Sequence, residues 1–119
     1  MYRIRSHKRI ALPATATLNI AGGRDAYSIQ AMVADMSLAG IGVYSDQPLR
    51  EGKDLSIDVY FIAVDGSMKS ASVDGISTYS RKIRDIYYVG IQFKEEIDST
   101  KQPLLYEQLT SSLRHFHNQ

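Results

Sequence analysis

Apolar and polar positions alternate along most of the chain between residues 14 and 93, which argues for strands. The pattern is clearest where Leu55, Ile57, Val59 and Phe61 interleave with Ser56, Asp58 and Tyr60, so that one set can face a core and the other solvent. Thr15, Thr17, Leu18 and Ile20 form an earlier β-favouring segment, ended by the turn residues Ala21-Gly22-Gly23-Arg24-Asp25. A second strand is predicted over 27–34, a break over 35–40, and extended chain again over 41–44. Residues 48–53 read as a turn, and Asp65-Gly66 as a hairpin. The strand predicted over 68–79 carries Asp74-Gly75, the expected position of a bulge. After a turn at Arg84-Asp85, the last strand, 86–93, sets Tyr87, Val89, Ile91 and Phe93 against Tyr88, Gly90 and Gln92.

Past Asp98 the period changes. Leu105, Leu109, Leu113 and Phe116 recur at helical spacing, and Leu104 is expected to widen the apolar stripe. Pro103 fits only the first turn of such a helix, with Asp98, Ser99 or Thr100 as the cap. The fold class predicted is mainly β: a six- to seven-stranded antiparallel Greek-key barrel with a C-terminal α-helix, because closure leaves no open strand edge. The chain divides into a basic N-terminal arm, 1–13, and a single barrel domain with its helix, 14–119.

Composition narrows the functional classes. A chain of 119 residues, 44% hydrophobic and 23% charged, suits one globular domain. With no cysteine, neither a disulfide framework nor a thiolate metal site is available. No apolar run approaches the roughly 18 residues that span a bilayer, and the basic N-terminus lacks the apolar stretch of a secretory signal. The expectation is a cytoplasmic protein with no membrane insertion. A net charge of +1 argues against coating a nucleic-acid polymer, yet Arg3, Arg5, Lys8 and Arg9 crowd the first nine residues with no acid among them. Such an end suits a compact anionic ligand, or a solubilising tail.

Two motifs stand out. Arg5-Ser6-His7-Lys8-Arg9 is an R-x-x-x-R ahead of the first strand, and Asp35-Met36-Ser37-Leu38-Ala39-Gly40 is a D-x-S-x-x-G between two strands. Singly, each has an ordinary explanation: solvated charge for the first, turn chemistry for the second. Together, in this order and spacing, they resemble the signature of the PilZ domain family. Tyr88-Val89-Gly90-Ile91-Gln92-Phe93 is similar to that family's late strand with its G-[aliphatic]-x-F pattern, and many members end in a helix.

The resemblance implies that the ligand is cyclic di-GMP, with no other cofactor. It implies that Arg5 and Arg9 grip phosphate and the Hoogsteen face of guanine, that Asp35 and Ser37 read the base, and that Gly40 shapes the loop. Arg3 and Tyr79 are secondary candidates, Tyr79 as a stacking platform. The chemistry is coherent. Guanidinium groups match phosphate oxygens and the guanine O6/N7 edge bidentately, a carboxylate accepts from guanine N–H groups, and glycine admits a flat base. The basic segment before Ala11 has few apolar residues, so it is expected to be mobile without ligand and to become ordered on binding for an unidentified downstream protein; the family likeness implies motility, exopolysaccharide or biofilm control.

The alternative is a PilZ-like adaptor that binds no nucleotide; such members usually lack the arginine motif, which is intact here. A single-strand binder like an OB fold would need a basic, aromatic-lined strand face, whereas the excess charge lies at one terminus. No nucleophile–base pair or Gly-x-Ser-x-Gly elbow suggests an enzyme. His115 and His117 are two apart on a helix and lack a third ligand, so no metal is expected. Gly40-Ile41-Gly42 lacks the third glycine and the βαβ setting of a dinucleotide loop.

Many family members carry an arginine immediately before R-x-x-x-R, which goes with binding an intercalated pair of ligands; here that position is Ile4. A ligand pair would concentrate four phosphodiester charges, more than Arg5 and Arg9 offset. One cyclic di-GMP per chain is therefore expected as the calorimetric end point. An end point near two would refute this, and its reduction to one in Arg3→Ala would assign the second ligand to Arg3.

Overall fold

The structure, a computed structural model, describes residues 8–22, 24 and 26–117, the last six of these by backbone alone. Arg3, Ile4, Arg5 and His7 lie outside the described residues, as do the side chains of Leu113, His115, Phe116 and His117.

Six strands form in chain order: β1 Ala14–Ile20, β2 Tyr27–Met36, β3 Gly40–Ser45, β4 Asp54–Ile62, β5 Met68–Ile83 and β6 Ile86–Phe93. They close an antiparallel barrel in the order β1-β2-β3-β6-β5-β4, with β4 pairing back onto β1. Two three-stranded meanders thus join edge to edge, and the β3–β4 connection passes from one to the other. The helix α1 follows as Pro103–His117.

The alternating residues fill the barrel. Leu55, Ile57, Val59 and Phe61 of β4 are buried, as are Leu18 and Ile20 of β1 and Val89, Ile91 and Phe93 of β6. Leu105 and Leu109 of α1 join the same core. Leu104, expected to widen that apolar stripe, is instead 42% exposed, because the buried face of the helix is narrow. Leu49 is buried from the β3–β4 connection, which Ser77 anchors: its hydroxyl donates to the Arg50 carbonyl at 2.6 Å and accepts from the Lys53 amide at 2.9 Å.

Local chemistry explains the turns. Gly66 adopts φ 88° in the β4–β5 hairpin, where Asp65 accepts from the Ser67 amide and hydroxyl. Arg84 takes φ 55° in the β5–β6 turn. Asp98 accepts from the Thr100 and Lys101 amides, so it caps the turn ahead of α1 rather than α1 itself. The bulge expected at Asp74-Gly75 is not there. Pairing with β4 runs unbroken from Met68 to Ile76, and the β5–β6 register instead shifts between Ser77 and Tyr79.

The chain meets the barrel before β1 begins. The Ile10 and Met36 backbones exchange two hydrogen bonds of 2.9 Å, and Leu12 is buried in the core.

Phe61 is 1% exposed while its neighbour Ile62 is 52% exposed. Phe61→Ala is expected to destabilise the domain by about 3–5 kcal/mol and Ile62→Ala by less than about 1 kcal/mol in urea unfolding. Similar losses at both positions would contradict the assigned facing of β4.

Candidate functional site

Two bulges build the site. Ile29, Ala31 and Val33 point inward along β2, and strict alternation would send Asp35 inward too. The β2–β3 register shifts between Val33 and Asp35, so that Asp35 pairs with outward-facing Gly42 and Met36 becomes the buried residue. The same happens on β5. Val73, Gly75 and Ser77 face inward, and the shift after Ser77 pairs Tyr79 with Gly90 and leaves it 44% exposed on the outside.

Both re-aimed residues fall in one row of the outer face. Asp35 pairs with Gly42, Gly42 with Gly90, and Gly90 with Tyr79. Across three strand spacings, about 14 Å, two glycines therefore separate a carboxylate from an aromatic ring. In the next row Tyr44 pairs with Tyr88 and Tyr88 with Arg81.

Arg9 reaches this face from the segment that pairs with Met36. Its Nη1 donates to Asp35 Oδ1 at 2.5 Å, and the two side chains remain 25% and 29% exposed. An ion pair this open to water contributes only about 0–1 kcal/mol to stability, so holding the fold together is a poor account of it. Gly40 lies beneath the guanidinium. A Cβ there would stand 3.5 Å from Arg9 Nη2 and 2.7 Å from the Ile91 carbonyl oxygen of the paired strand.

Ser37 takes part in its own loop. It is 4% exposed, and its hydroxyl oxygen accepts from the Ala39 amide at 3.1 Å and the Gly40 amide at 3.2 Å. The Ser37 amide donates to the Gly40 carbonyl at 2.9 Å. In this structure Ser37 shapes the loop that brings Gly40 under Arg9, a turn role typical of serine.

Tyr88 is the site residue that sequence reasoning missed. Its hydroxyl donates to Asp35 Oδ2 at 3.0 Å, and its ring meets Tyr44 and Tyr79 edge-on at centroid distances of 5.7 and 6.2 Å. Gly42 makes this possible: a Cβ at 42 would stand 2.0 Å from the Tyr88 hydroxyl oxygen and 2.9 Å from Asp35 Oδ1. The available signal was Gly40-Ile41-Gly42 itself, since glycines two apart on a strand clear one face. Burial, and then the Asp35 carboxylate beside it, push the Tyr88 phenol above its usual range. Among the described residues there is no cluster of three His, Cys, Asp or Glu able to hold a metal ion, and no helix is long and apolar enough to cross a membrane.

The family model described as PilZ domain matches residues 3–111. No curated protein is similar enough in sequence to count as a match. Among solved structures, the chain is similar to the Bacillus subtilis inhibitor of motility (MotI/DgrA), with TM-score 0.74 and 12% identity over 99% of this chain and 54% of that one. It therefore spans about half the length of that protein. It is also similar to the PilZ domain of YcgR from Escherichia coli, solved with c-di-GMP, with TM-score 0.66 and 18% identity over 98% and 99% of the two chains. A third likeness is to the K. pneumonia MrkH-c-di-GMP complex, with TM-score 0.66 and 14% identity over 99% of this chain and 57% of that one.

The raised Tyr88 pKa has a measurable sign. The folded state holds the phenolic proton more tightly than the unfolded state, so Tyr88 contributes stability below its unfolded value, about 10, that is lost as pH rises through the higher folded value. Alkaline unfolding of Tyr88→Phe should fall less steeply over that window than that of the parent. Parallel curves would show that neither burial nor Asp35 raises the phenol.

Proposed function

The chain belongs to the PilZ domain family, and from that premise we propose that it is a receptor for cyclic di-GMP. PilZ is a ligand-binding receptor domain rather than an enzyme family. The observation that carries the reading is the approach of Arg9 and Asp35, one from each motif, above a floor of Gly40 and Gly42. A guanidinium beside a carboxylate provides a phosphate or Hoogsteen-edge donor next to an acceptor for guanine N–H groups. The glycines leave the floor free of side chains of their own. Two of the structurally similar proteins, YcgR and MrkH, are solved with this ligand.

In this reading Arg9 and Asp35 contact the ligand directly, and Arg5 joins them from the arm on the strength of the motif. Tyr79, exposed at the far end of the glycine row, is an aromatic surface for a second ring. Ser37 acts mainly through the loop. Signal output would pass through the basic segment ahead of Ile10: ligand phosphates draw Arg5 and Arg9 together and order that segment against the barrel for a downstream protein. The proposed setting is the cytoplasm, where this messenger would be met, and the proposed processes are motility, exopolysaccharide or biofilm control.

Calorimetric titration with cyclic di-GMP, with GTP and cyclic di-AMP as controls, tests the reading. The parent should bind cyclic di-GMP selectively. Arg9→Ala is expected to weaken binding by about 2 kcal/mol, the loss of a charge-assisted contact. Asp35→Ala should erode the preference for guanine over adenine more than it changes the salt dependence. Unchanged binding in both variants would place the ligand elsewhere. The arm has its own readout. On ligand addition, amide exchange from Arg5 to Ile10 should slow more than across Leu55–Phe61, and equal protection in the two segments would dismiss it as the switch.

A further inference from the structure

We infer that Tyr88 is a built-in competitor for the base: its phenol occupies both the Asp35 acceptor and the glycine floor that guanine would use, and so sets the affinity of the site. The inference rests on the cyclic di-GMP reading above and adds a residue that neither motif contains.

Three observations converge. The first concerns hydrogen bonding. Both oxygens of the Asp35 carboxylate are engaged from within the chain, Oδ1 by Arg9 and Oδ2 by Tyr88. Guanine offers its N1–H and exocyclic amine side by side, so reading it fully takes both oxygens of one carboxylate. Arg9 can turn to phosphate and stay in the site, whereas Tyr88 has nothing to offer the ligand from the Oδ2 position except its departure.

The second is shape. The space above Gly42 is just where a flat ring would lie beside Asp35, and the end of the Tyr88 ring fills it. A Cβ at 42 would stand 2.0 Å from the hydroxyl oxygen and 2.6 Å from Cζ. A planar aromatic group with a donor aimed at the carboxylate is what guanine itself would present there. Tyr88 imitates the base.

The third is the ring's surroundings. Tyr88 is only partly buried, and its two aromatic neighbours meet it edge-on rather than stacked. Tyr44 and Tyr79 are themselves 39% and 44% exposed. The side chain thus lies on the outer surface of the barrel, where it can rotate toward solvent without opening the core, and Tyr79 would be left facing the incoming ring.

The test is the sign of one substitution. Tyr88→Phe keeps the ring and removes the donor, so cyclic di-GMP should bind it more tightly than the parent, by about tenfold or more for a net hydrogen bond to a charged acceptor. A residue that merely oriented Asp35 would give the opposite result. With tyrosines labelled at Cζ, the parent resonance missing from Tyr88→Phe should shift on ligand addition as the hydroxyl leaves Asp35. A parent that binds, with a Tyr88→Phe variant that binds no better, would overturn this inference and leave the receptor reading standing. No binding by parent or variant would remove the receptor reading, and this inference with it.

Discussion

Side chains on a strand alternate between two faces, so each inward residue commits those two positions away to the core as well. A closed barrel leaves little freedom to break that rule, because every strand has a partner on both sides. This chain breaks it twice, at Ala34 and at Thr78, with one extra residue each time. The β2 bulge turns Asp35 out and Met36 in; the β5 bulge follows Ser77, whose side chain anchors the β3–β4 connection, and turns Tyr79 out. Without them Asp35 would point into a core of Ile, Leu and Val, where an ionised carboxylate is strongly disfavoured. The outer row Asp35–Gly42–Gly90–Tyr79 exists because of these two insertions.

Asp35 then organises what lies around it. A cation from the N-terminal segment and a phenol from β6 converge on one carboxylate, from positions 26 and 53 residues away in sequence. None of these contacts is deep enough to matter greatly for folding, while the core from Leu18 to Ile91 is fully enclosed. The inner faces of the strands hold the barrel, and the contacts around Asp35 lie on its outer face near β2, β3, β5 and β6. The Ile10–Met36 bridge joins the two, since Met36 is a core residue next to Asp35 and Ile10 is next to Arg9. It thus ties the segment that carries Arg9 to the strand that carries Asp35.

The sequence by itself determined the strands, the turns and the helix, because period-two and period-3.6 patterns and turn residues such as Asp65-Gly66 are local properties. It also carried the family resemblance, through R-x-x-x-R, D-x-S-x-x-G and the late Gly90 strand. It misplaced the β5 bulge at Asp74-Gly75, since glycine is a frequent mark of a bulge but not a requirement for one. Which face Asp35 and Tyr79 occupy was not legible at all: both stand at inward positions of their own strands' alternation, and only cross-strand register reverses that. The tertiary structure alone decided that Tyr88 meets Asp35 over Gly42, that Ser37 accepts from the amides of its own loop, and that Arg9 lies over Gly40. Each is a contact between residues on different strands or segments, or depends on the burial that those strands create. Pairing and burial are long-range consequences of closing the barrel, and no local pattern along the chain encodes them.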